Sequence, residues 1–103
     1  MPSKVFLAAR DLVFRSKLGA VVAAAGGELV RDAAACELAV IEIDGPDWEH
    51  LVRILARRGT PVIAYGAHVR ADLLRAARDA GATAVPNSEV EHRLRQLLGG
   101  LLQ

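Results

Sequence analysis

Apolar positions recur along this chain in two alternating rhythms. Five short, mostly apolar runs, at 5–9, 28–30, 38–43, 61–65 and 82–85, are each closed by Gly, Pro or charged residues. Runs of that length and bounding are expected of strands buried on both faces of a sheet. Between them the period changes. Phe14, Leu18, Val21, Val22 and Ala25 fall on one helical face, and Trp48, Leu51, Val52 and Leu55 on another. Val69, Leu73, Ala76, Ala77 and Ala80 repeat that spacing, as do Val90, Leu94, Leu97, Leu98 and Leu101. Each set predicts an amphipathic helix.

Turn residues mark the boundaries. Gly26-Gly27, Gly59 and Gly81 stand just past the ends of three helical patterns, where a left-handed residue closes a helix. Asp47 precedes the Trp48 helix and is placed to cap it through its carboxylate, and Ser88 with Glu91 reads as a capping box. Strands that alternate with helices pair in parallel through right-handed crossovers, which set helices on both faces of the sheet. The predicted fold is therefore α/β, one doubly wound domain over residues 1–103 with a five-stranded parallel sheet.

One crossover is abnormal. Only seven residues, Arg31 to Glu37, separate the second and third strands, where a parallel connection takes about a dozen or more. Seven extended residues reach roughly 23 Å, enough to step across one strand but not to carry a full helix. The second helix is expected to be truncated to one turn near 32–36, or missing.

Composition narrows the function classes. A chain of 103 residues with 52% hydrophobic and 24% charged residues can bury a real core, which excludes a disordered tail. Thirteen Lys and Arg against twelve Asp and Glu leave +1, without the broad positive field of a dedicated nucleic-acid or membrane-surface binder. The lone Cys36 excludes an internal disulfide, and His50, His68 and His92 lie on different segments without zinc-ligand spacing. That cysteine usage points to a reducing, cytoplasmic setting. Arg10 and Asp11 break the first apolar run, so neither a signal peptide nor a membrane span is read.

In an open parallel sheet, ligands and reactive groups gather beyond the carboxyl ends of the strands. Here those positions are Arg10 and Asp11, Glu42 and Asp44, Gly66, and Pro86, Asn87 and Ser88. At these residues, and through the stretches Leu38 to Pro46, Pro61 to Ala67 and Ala80 to Val85, the chain resembles the response-regulator receiver (CheY-like) family over nearly its whole length. The resemblance implies the strand order 2-1-3-4-5. It also implies a pocket in which an Asp on the third strand accepts a phosphoryl group, with a Pro four residues later; Glu42 and Pro46 stand at those places. The family's magnesium-holding acidic pair matches Arg10 and Asp11, its switch Thr or Ser matches Gly66, and its Lys matches Asn87, or Ser88 if the register slips by one. Four of the five phosphotransfer positions are thus changed.

Those changes carry a chemical consequence. A guanidinium at Arg10 repels the cation that a second carboxylate would hold. Without that cation and the Lys, the equatorial oxygens of a transferring phosphoryl group go unneutralised. The expected device is a pseudo-receiver without enzymatic activity, metal or cofactor, in which Arg10 and Glu42 form a fixed ion pair. It would act by docking an unidentified signalling protein through the face built from the helix over 69–80, the fifth strand and the last helix. The apolar end Leu97, Leu98, Leu101 and Leu102 suggests a homodimer there. The alternative is a small anion- or nucleotide-binding α/β domain, with Gly66, Ala67 and Arg70 offering a helix start to the anion and Arg10 and Asn87 as wall. Trp48 and Cys36 read as core residues, and Tyr65 lies one strand away from the aromatic that the resemblance implies for a switch role.

Overall fold

A computed structural model describes residues 3–101. The chain runs β1 (Lys4–Ala8), α1 (Leu12–Ala24), β2 (Glu28–Val30), a 3₁₀ turn (Ala33–Ala35), β3 (Leu38–Glu42), α2 (Trp48–Arg57), β4 (Val62–Gly66), α3 (Ala71–Asp79), β5 (Thr83–Pro86) and α4 (Val90–Leu101). All strand pairings are parallel and the order is β2-β1-β3-β4-β5, the order that the resemblance implies.

The pleat divides the core in two. Val5, Leu38, Val40, Ile63 and Tyr65 point to the face covered by α1 and α4, where Leu18, Val22, Leu94 and Leu98 meet them. Ala39, Ile41 and Val62 point to the other face, under Val52 and Leu55 of α2, with Leu74 and Ala77 of α3 packed beside them. Residues of the two central strands are buried almost throughout because helices lie above and below them.

β1 is the exception. It lies inside the sheet, yet Phe6, Leu7 and Ala8 are only half-buried. Two facts of the short crossover explain this. β2 pairs only with Lys4, Val5 and Phe6, so Leu7 and Ala8 run past the end of their neighbour. The connection holds a single 3₁₀ turn, as its seven residues predict, in place of a crossover helix on the face of Phe6 and Ala8; Leu7 packs on the α1 face. The turn is tied down locally: Asp32 Oδ1 accepts from Ala34 N at 2.9 Å, and Arg58 donates to the Ala34 carbonyl at 2.8 Å. Glu37 Oε1 accepts from Lys4 N at 2.9 Å, and Glu37 N donates back to the Lys4 carbonyl at 2.8 Å.

Several boundaries differ from the sequence reading. α2 begins after Asp47 as expected, but the Asp47 side chain makes no capping bond; its carbonyl starts the helix by accepting from Leu51 N at 3.2 Å. α4 begins at Val90, leaving Ser88 in the preceding turn and outside any capping box, while Glu91 pairs along the helix with Arg95 at 3.0 Å. Val69 is not on a helix face; it is exposed in the loop before α3 because that helix starts only at Ala71. Leu98 is fully buried and Leu97 packs on the same core, so neither is surplus to its own domain; Leu102 and the Leu101 side chain lie outside the described residues.

The glycine stops hold. Gly26, Gly59 and Gly81 all take positive φ. At Gly81 (φ 109°) a Cβ would also sit 2.7 Å from Ala56 Cβ, where α2 and α3 approach. Gly81→Ala is expected to cost about 2–4 kcal/mol, from left-handed strain and overpacking together. A urea melt showing a loss below about 1 kcal/mol would contradict that close approach.

Candidate functional site

The carboxyl ends of β1, β3 and β4 converge on one side chain, Glu42. Its neighbour across the β3–β4 ladder is Tyr65, so both side chains leave the sheet on the α1 face. Glu42 Oε1 accepts three hydrogen bonds: from Arg10 N at 3.2 Å, from Asp11 N at 3.1 Å and from the Tyr65 hydroxyl at 3.2 Å. A carboxylate receiving backbone N–H groups makes charge-assisted bonds stronger than those between neutral partners. The glutamate therefore clasps the β1–α1 loop to the ends of two other strands.

This arrangement replaces the expected Arg10–Glu42 ion pair. The Arg10 guanidinium turns instead toward Asp44, with Nη1 at 3.6 Å from Oδ2, while Glu42 takes the Arg10 main chain. The reason is reach: the longer glutamate extends under the loop to its N–H groups, and Arg10 passes over Gly45, where any Cβ would lie 3.0 Å from its Nη1. Both partners of the Arg10–Asp44 pair are more than half exposed, which leaves that pair weak.

Asp11 has a structural task beyond its place in the family's acidic pair. Its Oδ1 accepts from Val13 N at 2.9 Å and Phe14 N at 3.2 Å, capping α1. The signal was present in the sequence as an Asp one residue ahead of the Leu12 helix. Asp11 thus faces the helix backbone, and among the described residues no group of three or more His, Cys, Asp and Glu side chains is placed to hold a metal ion.

Asp11, Glu42, Asp44, Gly66 and Asn87 do line a common small cleft of about 150 Å³, with Phe14 and Tyr65 at its side. Arg10 is not among its walls and opens onto the far side of the loop. Asn87 N donates to the Gly66 carbonyl at 2.9 Å, which fixes the β5 end against β4. Gly66, Ala67 and Arg70 come together on a separate shallow cleft of about 110 Å³. Of the three only Arg70 stands at a helix start, as the N-terminal cap residue of α3 with no side-chain capping bond, while Gly66 and Ala67 lie ahead of it. α3 begins at Ala71, and Arg70 Nε lies 3.5 Å from Asp72 Oδ1. The Asp72 carboxyl is held below its usual range, chiefly by the Leu73 N–H.

Tyr65 is the buried member of the site, 1% exposed, with its ring 5.4 Å from that of Phe14. Burial raises its ionisation far above the ordinary phenol range, and the facing Glu42 and Asp11 carboxylates add to the effect. Cys36 sits elsewhere under the 3₁₀ turn, where burial pushes its thiol up and Sγ donates to the Ala33 carbonyl at 3.1 Å. That is the signature of an inert core thiol.

Tyr65 is the only tyrosine, so alkaline absorbance reads it alone. The folded chain holds the phenol proton more tightly than the unfolded chain does. The stabilisation this brings is intact below about pH 10, the free-phenol value, and is lost as pH climbs above it. Glu42→Gln removes the facing charge and should move Tyr65 ionisation to lower pH; an unmoved titration would show that the carboxylate does not govern the phenol. Tyr65→Phe should cost about 1 kcal/mol in a denaturant melt.

No protein-family model matches this chain, and no curated relative matches it by sequence. Solved structures do. The BeF₃-activated DrrB receiver domain superposes with a TM-score of 0.81 at 18% identity, over 99% of this chain and 98% of that one. A CheY-like response-regulator receiver domain protein from Methanospirillum hungatei gives 0.77 at 16%, over 99% and 94%. NtrX from Brucella abortus gives 0.77 at 18%, over 99% of this chain but only 27% of its own. The chain has the five-stranded, 2-1-3-4-5 fold of response-regulator receiver (CheY-like) domains.

Proposed function

We propose that this chain is a non-enzymatic signalling module, a pseudo-receiver that works through protein–protein contact and does not carry out ordinary phosphotransfer. The observation that supports the reading most is the state of Glu42. The group at the acceptor position already receives two backbone N–H bonds and a phenol bond on one oxygen. Attack on a phosphoryl donor by that oxygen would compete with all three bonds. Around it, Asp11 is engaged as the α1 cap, Arg10 carries a positive charge at the other acidic position, and Gly66 and Asn87 offer neither a hydroxyl nor an ammonium group. The closed geometry fits a scaffold held in one state.

The face formed by α3, β5 and α4 is the docking surface this reading favours, with an unidentified signalling protein as partner. A second copy of this chain has less support than the leucine-rich end of the sequence implies, because Leu98 is fully buried and Leu97 packs on the same core. The anion- or nucleotide-binding alternative is weaker: its cleft holds about 110 Å³, and the helix that should present its N–H groups starts four residues past Ala67.

Incubation with acetyl phosphate and Mg²⁺, read by intact mass, should leave the chain unmodified. A gain of one phosphoryl group that depends on Mg²⁺ would overturn the proposal. Restoring the acidic and acceptor positions together, as Arg10→Asp with Glu42→Asp, is expected to return Mg²⁺ binding measurable by quenching or broadening at Trp48, the only tryptophan.

A further inference from the structure

The missing crossover helix leaves more than a gap in topology. On the α2 side of β1 lies an open groove of about 550 Å³. Ala8 and Ile41 form its floor and Trp48, Leu51 and Ile54 its α2 wall. Parallel sheets are ordinarily covered on both faces, and here β1, an interior strand, is only half-covered. Trp48 is likewise half-buried, whereas helix periodicity alone assigns it to the core. Ile54, one turn and a half further along α2, is 39% exposed.

The charges around the groove are unevenly placed. Glu42 Oε1 is turned to the loop amides on the opposite face, and Asp44 faces Arg10. Asp47 and His50 sit at the α2 end. Arg15 lines both this groove and an adjoining depression of about 360 Å³, which carries Arg31 beside Phe6, Leu7 and Leu29. Neither Arg15 nor Arg31 makes an ion pair among the described residues. The sheet-edge side therefore presents an apolar trough bordered by two unpaired guanidinium groups.

We propose that this trough is a docking site for an amphipathic helix of a partner protein, lying where the crossover helix is absent. The apolar stripe of that helix covers Ala8, Ile41, Trp48 and Ile54, and its acidic flank faces Arg15 and Arg31. A helix at this place completes the covering layer of the sheet, and an acidic flank matches the two guanidinium groups that border the trough without an ion pair among the described residues. The proposal stands on the groove itself and does not depend on whether the strand-end pocket transfers phosphate.

The test uses the whole chain and two synthetic helical peptides with one leucine stripe, the first carrying glutamates on one flank and the second lysines at the same positions. Trp48 reports binding by fluorescence, and amide chemical shifts report its place. The glutamate peptide should bind about ten-fold or more tightly than the lysine peptide, with shifts centred on Ala8, Ile41, Trp48 and Leu51. Arg15→Glu and Ile54→Glu, both at exposed positions, should each weaken it by about ten-fold while amide spectra elsewhere keep their dispersion. Absence of binding, equal binding of the two peptides, or shifts confined to α3, β5 and α4 would each overturn the proposal. So would a Trp48 signal that changes with protein concentration alone alongside a dimer in light scattering, which would assign the groove to a second copy. The acetyl phosphate result is independent of every one of these outcomes.

Discussion

One carboxylate oxygen holds the functional end of this molecule together. Glu42 leaves β3 and meets two backbone N–H groups of the β1–α1 loop and the hydroxyl of Tyr65 on β4. Three elements that are distant in sequence are thereby pinned at a single point. Loops at the ends of a parallel sheet carry polar backbone groups that the ladder no longer satisfies, and those groups must find partners or water. Here a glutamate supplies the partner. Glu42 is half-buried, at the side of a cleft that Phe14 and Tyr65 also line, and its charge makes the three bonds stronger than those between neutral partners. The position of α1 follows from the same loop, since Asp11, whose N–H goes to Glu42, caps the helix with its own side chain.

The second constraint is length. Seven residues between β2 and β3 cross the sheet edge but leave no chain for a helix. The consequences are local and consistent: β2 spans three residues, β1 has no edge neighbour at Leu7 and Ala8 and a thinner covering layer over Ala8, and Trp48 has an open side. The domain tolerates this because its densest packing lies elsewhere. The α1 and α4 layer covers Val5, Leu38, Val40, Ile63 and Tyr65, and the shortened connection sits on the opposite face.

Periodicity carried most of the fold. The five strands, four helices and short crossover are visible in the sequence because each apolar stripe is long enough to show its period and each helix but the last ends in a left-handed glycine. Strand order came from the likeness of particular stretches to receivers, not from the period. Helix starts were less legible. Asp47, Ser88 and Asp11 all have the chemistry of a cap, but only Asp11 uses its side chain, and that choice depends on where the loop geometry directs each oxygen. The site was legible as a set of positions and illegible as a set of contacts. Opposite charges at Arg10 and Glu42 suggest a pair, yet backbone N–H groups are equally good donors and carry no signature in a side-chain alphabet.

The clasp and the groove are adjacent, and they share a loop. Arg10 gives its N–H to Glu42 on one face and extends its guanidinium over Gly45 toward Asp44 at the groove's mouth on the other. Main chain and side chain of one residue thus border both regions. The β3–α2 loop does the same through Asp44, which lines both the strand-end cleft and the groove. The clasp therefore ties the mouth of the groove from below, and the glycine at position 45, with φ 82°, leaves room for the Arg10 guanidinium to pass over it. Two loop amides and a phenol meeting one Glu42 oxygen tie the β1–α1 loop to the strand ends at this place. For the docking proposed at the groove, that tie is a form of pre-organisation, because a surface that is already ordered loses less conformational freedom when something binds to it.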